Sequence, residues 1–444
     1  MNNPLRIAFF VGQFPVVSET FILRQITGLL DLGHKVDIFS DTRPEPGEPV
    51  HAAVAKHRLL ERTTYLDLPP ECAPWELPAW PLAGETWVPG AAESTPNWKR
   101  LADALPALGR CLERAPALTE QALSEERSGH RARSLSALYR LDRLSALPGG
   151  YDALHAHFGP VGESFRFARE LWRAPLVVSF HGYDFTTVPR KQGSGLYEKL
   201  FAAADLVTVN SEFTRSRVAR LGCPQDKLRQ LPVGLDLEAF PCVARKPRAG
   251  EPVRVLTVAR LVEIKGHEFA IRSVAKARRR HPELHYDIVG DGPLRKKLET
   301  LVEELGLSGV VTLHGSRDDT FIQEVMSRAH MAVQASVNVE GDQEGQGLFL
   351  QEAQACGLPV LATQHGALPE GLVPAQSGFL VPERDVEALA DRLEFLLEHP
   401  DLWAEMGQRG REFVANRYDI RRLNEHLVQL YREAVAGFGC GGNS

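Results

Sequence analysis

Short apolar runs alternate with amphipathic stretches along most of the chain. The first unit is the run RIAFFVG at 6–12, followed by a helical pattern of apolar residues from Phe21 onward and a second apolar run, HKVDIFS, at 34–40. Apolar runs of this length fit strands buried on both faces, and apolar spacings of three and four fit a helix with one buried face. Strand, helix and strand in this order predict a parallel β-α-β unit with a ligand crevice at the strand ends.

The same alternation returns after residue 150 and restarts after residue 252. We therefore predict an α/β protein with two Rossmann-like parallel-sheet domains that face a central cleft. A segment rich in proline, glycine and charge separates the two halves, as expected of an exposed linker. The predicted units are a first domain at 1–240 with an insertion at 43–150, a linker at 241–252, a second domain at 253–415, and an amphipathic helix at 416–436 that packs back on the first domain.

Composition narrows the functional classes. A chain of 444 residues is long for one core, which agrees with two domains, and a net charge of −6 offers no footprint for nucleic acid. No apolar stretch approaches the length of a membrane span and no signal-peptide pattern opens the chain, so we expect a cytoplasmic protein. The six cysteines have no paired spacing, and the pair His155 and His157 lacks a third clustered ligand, so we predict neither a metal nor a cofactor.

The stretch 331–370 carries the strongest functional signal. A strand, a glycine-bearing loop and a helix that begins near Gly347 would expose backbone N–H groups to an anion, at the positive end of the helix dipole. Glu344 and Glu352, eight positions apart, flank this phosphate site. Carboxylates accept well from paired hydroxyls, so we interpret them as ligands of sugar and ribose hydroxyls. The alternative for each is a solvated acidic helix start.

Three further features point at the predicted crevice. Arg260 and Lys265 flank a turn after the first strand of the second domain, and a guanidinium with an ammonium suits a diphosphate. His181 follows the apolar run LVVSF directly and precedes glycine, which places its ring at the crevice mouth. The turn from Gly12 to Phe14 is a candidate ligand contact. A surface salt bridge for the cations and a packed ring for His181 are the structural alternatives.

Taken together, these motifs resemble the retaining glycosyltransferases of family 4, which have the two-domain GT-B fold. The resemblance is carried by RLVEIKG at 260–266, EGQGLFLQE at 344–352, ACGLPVLAT at 355–363, HGALPE at 365–370 and FHG at 180–182. FPVVSETF, HAHFG, FHGYDF and EGDQEG further resemble the bacterial branch that builds exopolysaccharides such as colanic acid. The match covers 1–40 and 150–435 and leaves the insertion unexplained.

The resemblance implies retaining transfer of a sugar from a UDP- or GDP-sugar to a glycan or lipid-linked glycan. No Asp-any-Asp motif, which would hold a divalent metal in the other common transferase fold, occurs in the chain, so we expect metal-independent chemistry. By resemblance, Arg260 and Lys265 hold the diphosphate, Glu352 the ribose, and Glu344 the transferred sugar, whose reactive face His181 supports. The other implied contacts are Gly345, Gly347 and Leu348 with the phosphates, Gly315 with the base, and Gly12, Gln13, Phe14 and His157 on the acceptor side.

Two other functions remain open at this point: a nucleotide-sugar 2-epimerase of the same architecture, and a nucleotide-sugar-binding protein without catalysis. The insertion, rich in Trp and Arg, suggests peripheral membrane contact, with ordinary packing as the alternative. Two positions depart from the family pattern, Ala259 in place of glycine and Gln346 in place of an aromatic or aliphatic residue. We expect Gln346 to alter contacts near the donor sugar.

Overall fold

The computed structural model describes residues 3–16, 19–45, 47, 50–69, 72, 97–247 and 250–440. Within them, two parallel sheets form the centres of the two domains. The first sheet contains β1 (Arg6–Gln13), β2 (Lys35–Thr42), β3 (Thr63–Tyr65), β4 (Ala153–His157), β5 (Leu176–Phe180), β6 (Leu206–Val209) and β7 (Leu228–Gln230). The second contains β8 (Val253–Val258), β9 (Leu284–Val289), β10 (Val311–Leu313), β11 (Met331–Gln334), β12 (Val360–Thr363) and β13 (Gly378–Val381).

Helices cover both sheets. In the first half they are α1 (Thr20–Asp31), α2 (Ala52–Lys56), α3 (Asn97–Arg114), α4 (Pro116–Leu123), α5 (Glu125–Ser128), α6 (His130–Arg133), α7 (Ser136–Ser145), α8 (Gly159–Phe165), α9 (Ala168–Trp172), α10 (Thr187–Gln192), α11 (Glu198–Ala203) and α12 (Glu212–Arg220). In the second half they are α13 (His267–Ala277), α14 (Arg295–Glu304), α15 (Asp319–Arg328), α16 (Leu348–Ala355), α17 (Val386–Glu398), α18 (Trp403–Tyr418) and α19 (Ile420–Cys440).

Strand order confirms the predicted fold class. The sheets run β3-β2-β1-β4-β5-β6-β7 and β10-β9-β8-β11-β12-β13, and both switch direction beside their first strand. Strands buried on both faces, such as the apolar centre of β1, pair in parallel because helices return the chain to the same sheet edge. Ligands of such sheets bind outside the carboxyl ends of the strands at the switch point. The ends of β1 and β8 are therefore the positions where a ligand is expected.

The predicted insertion contributes one strand and a helical layer. β3 extends the first sheet at its edge beside β2, a strand that the sequence did not suggest. Helices α3 to α7 enclose a small core of their own, which includes Cys111, Leu138 and Leu141. Trp75, Trp80 and Trp87, on which the membrane prediction partly rests, lie outside the described residues. None of the helices in the described part of the chain is long and apolar enough to cross a bilayer.

The last helix confirms the predicted return to the first domain. α19 packs on α1, β4 and β5. Its apolar face joins the core of the first sheet through Leu427, Val428, Leu430, Tyr431 and Ala434. We propose the division between the domains at 241–252, because the described residues of that segment form neither strand nor helix and lie between β7 and β8.

Candidate active site

The turn after β8 places Arg260 and Lys265. Its backbone is fixed by His267, whose Nε2 lies 2.9 Å from the carbonyl oxygen of Arg260. Gly266 has φ of 61°, and a Cβ there would lie 1.8 Å from the carbonyl oxygen of Ala335. Only glycine therefore lets this turn pack directly against the chain that follows β11.

Lys265 and Glu344 form an ion pair at the centre of the site. Nζ of Lys265 lies 2.6 Å from Oε1 of Glu344, and Ser336 donates its hydroxyl to the same oxygen at 3.1 Å. Burial raises the pKa of Glu344, but Lys265 and His365 lower it by more, so the pKa falls below its usual range. Glu344 is therefore an ionised carboxylate at neutral pH.

Arg260 belongs to the same electrostatic cluster. Burial lowers the pKa of its guanidinium, whereas the nearby carboxylates of Glu344 and Asp342 act in the opposite direction. A guanidinium stays charged in proteins even so. The cations of Arg260 and Lys265 and the carboxylate of Glu344 thus lie in one partly buried region, which is the arrangement that the diphosphate interpretation predicts.

The loop HGALPE at 365–370 supports Glu344 from behind. The N–H of Glu344 donates to Nε2 of His365 at 3.1 Å, and Nδ1 of His365 lies 2.7 Å from Oε1 of Glu383. The N–H of Ala367 donates to the carbonyl oxygen of Glu344 at 3.0 Å. The backbone of Glu344 is therefore held on both sides, which fixes where its carboxylate points.

Helix α16 begins where the sequence predicts. Gly347 precedes it with φ of 76°, and a Cβ at that position would lie 2.3 Å from a methyl carbon of Leu368. The first backbone bond of the helix runs from the N–H of Leu350 to the carbonyl oxygen of Gly347 at 3.0 Å. The N–H groups of Leu348 and Phe349 precede that bond, and such groups at a helix start favour an anion.

His181 brings the first domain to this region. A Cβ on Gly345 would lie 2.4 Å from the carbonyl oxygen of His181, so the two backbones touch beside Glu344. Asn210 donates its side-chain amide to the same carbonyl at 3.1 Å. The imidazole packs against Phe21 at a centroid distance of 4.5 Å, and burial lowers its pKa to about 3. His181 is therefore neutral at physiological pH.

Other residues of the first domain hold the loop at 340–345, and sequence reasoning missed them. Ser211 donates to the carbonyl oxygen of Gly345 at 2.8 Å, and Thr186 donates to Oδ1 of Asp342 at 2.9 Å. A polar side chain followed by a helix carries no local sign that its partner lies in the other domain. These hydrogen bonds join the two domains beside the predicted site.

Glu352 lies in the second turn of α16 and faces α1. Burial raises its pKa to about 7, and the charge of Arg24 on α1 acts against that shift. The sequence did not single out Arg24, which occupies one position in an ordinary amphipathic helix. The structure thus adds a cation from the first domain near the predicted ribose ligand.

Of the predicted acceptor-side residues, two are partly exposed and two are buried. Gly12 and Gln13 end β1 and are partly exposed, whereas the side chain of Phe14 is buried and its carbonyl oxygen accepts from the hydroxyl of Tyr65 at 3.0 Å. His157 is also fully buried, with Nδ1 3.1 Å from Nε2 of His181. The ring of His157 therefore lies behind His181 rather than on the surface of the cleft.

The predicted base contact lies further along the sheet. Gly315 follows β10, two strands from β8, with φ of 75°. Its carbonyl oxygen accepts from the N–H of Gly290 at 2.9 Å, which joins its loop to the turn after β9.

The side chain of Gln346 is bonded to the backbone of the first domain. Its side-chain amide accepts from the N–H of Val233 at 2.7 Å and donates to the carbonyl oxygen of Val233 at 2.9 Å. The expectation that Gln346 alters contacts near the donor sugar stays a prediction. The residue fastens the start of α16 to the segment that leads out of the first domain.

The paired histidines are engaged with protein groups. Nδ1 of His155 lies 2.6 Å from the hydroxyl of Tyr431, and Nε2 lies 2.7 Å from Oγ of Ser179. Across the described ranges, no three His, Cys, Asp or Glu side chains are grouped in a way that could hold a metal ion.

Two family models match the chain. Residues 243–413 match the model described as glycosyl transferases group 1, and residues 18–234 match the glycosyl transferase 4-like domain. The match at 18–234 spans β2 to β7, and the match at 243–413 spans the second sheet and contains Arg260, Lys265 and Glu344.

Similar proteins agree with these matches. The putative colanic acid biosynthesis glycosyltransferase WcaL of Salmonella typhimurium is 32% identical over 432 residues, covering 96% of this chain and 99% of the relative. The amylovoran biosynthesis glycosyltransferase AmsK of Erwinia amylovora is 31% identical, over 87% of this chain and 89% of its own. The crystal structure of Anabaena Alr3699/HepE in complex with UDP has the same fold, with a TM-score of 0.67 and 16% identity over 97% of this chain and 100% of that one. The resemblance inferred from the motifs is confirmed: the chain belongs to the group 1, family 4-like glycosyltransferases of the GT-B fold and is related to the colanic acid and amylovoran biosynthesis enzymes.

Proposed function

We propose that this glycosyltransferase is retaining, needs no metal ion, and moves a sugar from a UDP- or GDP-sugar to a glycan or lipid-linked glycan in exopolysaccharide or cell-surface polysaccharide synthesis. One observation carries the proposal. Lys265, Arg260 and Glu344 gather beside the start of α16, at the place where His181 of the other domain touches Gly345.

The leaving group is a nucleotide diphosphate, whose charge grows as the bond to the sugar breaks. Arg260, Lys265 and the N–H groups at the start of α16 are positive groups fixed before the reaction, and such preorganised groups stabilise developing charge at little reorganisation cost. They take the place that a divalent cation holds in metal-dependent transferases. Lys265 already bonds Glu344, and in this proposal its ammonium also binds the leaving diphosphate and so bridges it to the carboxylate.

The two carboxylates divide the hydroxyl groups of the donor between them. Glu344 is ionised and fixed on both sides of its backbone, which suits an acceptor for hydroxyls of the transferred sugar. Glu352 takes the ribose hydroxyls, and Arg24 helps to keep it charged when they bind. The crystal structure of the structurally similar HepE is a complex with UDP, which supports a nucleotide-sugar donor for this chain.

We propose retention of configuration from family membership, and the neutral state of His181 is compatible with a contact to the transferred sugar. A neutral imidazole beside Glu344 can hydrogen-bond a sugar oxygen without placing a second positive charge near a developing oxocarbenium centre. The anomeric configuration of the product, read by proton NMR immediately after transfer, tests this point. An inverted product would contradict retention and leave the fold and donor site as they are.

A ligand screen tests the proposal as a whole. UDP, GDP and ADP with their sugars are added to the protein and the melting temperature is measured, because a ligand at a hundred times its dissociation constant adds about 2.7 kcal/mol to stability. Turnover of the stabilising donor is then followed in EDTA. Stabilisation and transfer in EDTA are expected. Transfer that appears only with added Mg²⁺ or Mn²⁺ would overturn metal independence, and conversion of the donor to its epimer would overturn transfer itself.

We also propose that the protein touches membrane surfaces through the helical insertion, where lipid-linked acceptors would be presented. α3 buries one face and exposes another that is unusually apolar. Leu101, Leu105 and Leu112 are 59%, 62% and 51% exposed, and their spacing of four and seven places them on one side of the helix, whereas the exposed Lys99 lies on the other side. An exposed apolar side with cations on the polar side is typical of helices that lie on lipid.

A further inference from the structure

A row of buried rings lies behind His181. The ring planes of His181 and His157 are 9° from parallel with centroids 5.3 Å apart, and the centroids of His157 and His155 are 4.3 Å apart. The hydroxyl of Tyr431 reaches the far end of the row at His155. His155, His157 and Tyr431 are all 0% exposed. The proposed function uses only His181, so the other three rings need an explanation.

His157 and His181 are joined by one hydrogen bond, between Nδ1 of His157 and Nε2 of His181, which lie 3.1 Å apart. Burial holds the pKa of His181 at about 3 and that of His157 well below its usual range, so both rings are neutral and each carries a single N–H. One ring must donate and the other must accept. The remaining nitrogens, Nε2 of His157 and Nδ1 of His181, are buried and have no hydrogen-bond partner among the described residues.

The cost of an unpaired N–H decides the direction. The ring that accepts the hydrogen bond carries its own proton on its other nitrogen, which has no partner. A buried N–H without an acceptor is costly. Both of the unpartnered nitrogens are buried, but His157 is completely enclosed, whereas His181 as a residue is partly exposed. The arrangement in which His157 donates puts the unpaired N–H on the less enclosed of the two residues, so it is the favoured one.

The rear of the row holds His157 in place. Nδ1 of His155 bonds the hydroxyl of Tyr431 and Nε2 bonds Oγ of Ser179, which lies 2.5 Å from Oγ1 of Thr208. With both nitrogens engaged, the ring of His155 cannot rotate without losing two buried hydrogen bonds. His157 is sandwiched between this fixed ring and His181, and it also stacks on Phe9 at 5.4 Å.

We propose that His157 is a positioning residue that donates its Nδ1 proton to Nε2 of His181, so that His181 keeps its own proton on Nδ1, and that Tyr431 anchors this row from the C-terminal helix. The catalytic consequence rests on the proposed function, in which neutral His181 hydrogen-bonds a sugar oxygen, because Nδ1 is the nitrogen that the bond to His157 leaves for that contact. The tautomer itself does not depend on that function and can be measured without a substrate.

The first test is nitrogen NMR on the whole protein with ¹⁵N-labelled histidine at neutral pH. Signals of His181 and His157 are assigned by their loss in His181→Gln and His157→Asn. We expect His181 to be neutral, with the proton on Nδ1 and a bare Nε2, and to lose this preference in His157→Leu. A proton on Nε2 of His181 in the wild type, or an unchanged tautomer in His157→Leu, would overturn the proposal.

The second test separates positioning from packing. His157→Asn keeps an N–H donor close to the position of Nδ1 but leaves space, whereas His157→Leu fills the apolar space and has no donor. Positioning predicts that Asn retains more donor turnover than Leu, with up to about a hundredfold loss of kcat in the Leu variant and little change in KM. A packing role predicts the opposite order, and that order would overturn the proposal even if His157→Leu were poorly folded.

Tyr431→Phe tests the anchor, with Tyr286→Phe as the matched control. Both substitutions remove one hydroxyl from a fully buried ring, and the hydroxyl of Tyr286 lies 2.7 Å from Oγ1 of Thr257, in the second domain and outside the row. Mixed tautomers at His181 are expected in Tyr431→Phe and a single one in Tyr286→Phe. The same tautomer ratio in both variants would remove Tyr431 from the proposal. If the wild type turns over no donor but the NMR result is as expected, the proposed function is wrong. The proposed tautomer and its anchoring by Tyr431 are then still supported.

Discussion

Nζ of Lys265 and Oε1 of Glu344 lie 2.6 Å apart and join two segments separated by 79 positions in sequence. The pair ties the turn after β8 to the start of α16, the two elements from which the sequence predicts a diphosphate site. Because both groups are mostly buried, each is the main compensation for the charge of the other. Removal of either one therefore changes the electrostatics of the whole site.

Lys265→Ala should reduce the rate of sugar transfer by about a hundredfold or more, because a positive group aimed at the leaving diphosphate is lost. The rate is measured with saturating donor, by release of the nucleotide. Arg280→Ala is a matched control, since its guanidinium pairs with Glu398 at 2.7 Å on the surface of the same domain. Near wild-type turnover in Lys265→Ala, with the control also active, would contradict the assignment of this residue.

Glu352→Gln should change stability in a way that depends on pH. The pKa of Glu352 is raised by burial from 4.5 to about 7, so between these values the native state holds a proton that the unfolded state releases. The free energy of unfolding therefore falls as pH rises through that window, and the penalty is fully present above pH 7. Glutamine removes the penalty, so the gain in melting temperature over wild type should be larger at pH 8 than at pH 5.

The control for this variant is Glu405→Gln in α18. Binding of the cognate nucleotide should weaken in Glu352→Gln and stay unchanged in the control, because we propose that Glu352, and not Glu405, accepts the ribose hydroxyls. A melting-temperature difference for Glu352→Gln that is equal at both pH values would show that its carboxyl group is not held protonated by burial.

Gln346→Leu should lower stability without changing which donor is used. The substitution leaves the N–H and carbonyl of Val233 without the amide that now bonds both, and a buried unpaired group costs about 1–3 kcal/mol. Thermal unfolding and a panel of nucleotide sugars measure the two effects, with Gln408→Leu on α18 as the control. A change in donor preference would instead place Gln346 in the donor site.

Replacement of Leu101 and Leu105 by serine should reduce binding to liposomes that contain anionic lipid, because two apolar side chains that would enter the interface are removed. Flotation at low salt measures the bound fraction. The double variant Leu32→Ser with Leu60→Ser is the control, since those leucines are 45% and 51% exposed on other elements. Wild-type protein that never floats, or a control that loses as much binding, would remove this surface from the proposal.

The fold and the core of the site follow from local patterns. Apolar runs identify the strands, and apolar spacings of three and four identify the helices. The glycine before Leu348 identifies the start of α16, because only glycine takes up that backbone conformation readily. Arg260 and Lys265 were predicted because a turn after a parallel strand must face the crevice. Each of these inferences needs only a few neighbouring residues.

What the sequence did not provide depends on contacts between distant segments. The side chain of Gln346 reaches Val233, 113 positions away, and nothing beside it shows whether it turns toward the sugar or away from it. His157 has the same neighbours in sequence whether it lines the cleft or lies behind His181. Tyr431 reads as one more apolar position in an amphipathic helix until the fold places it against His155.

The return of α19 has a consequence for how the molecule is made. The side-chain amide of Asn424 bonds the carbonyl oxygen of Arg24 across 400 positions, and the apolar residues that follow complete the core of the first sheet. On the ribosome, the amino-terminal half is synthesised long before the segment that covers its last apolar surface. Premature termination ahead of Leu427 would leave that surface open to solvent, and we expect such fragments to be retained by chaperones or to aggregate, although nearly every residue of the half is present.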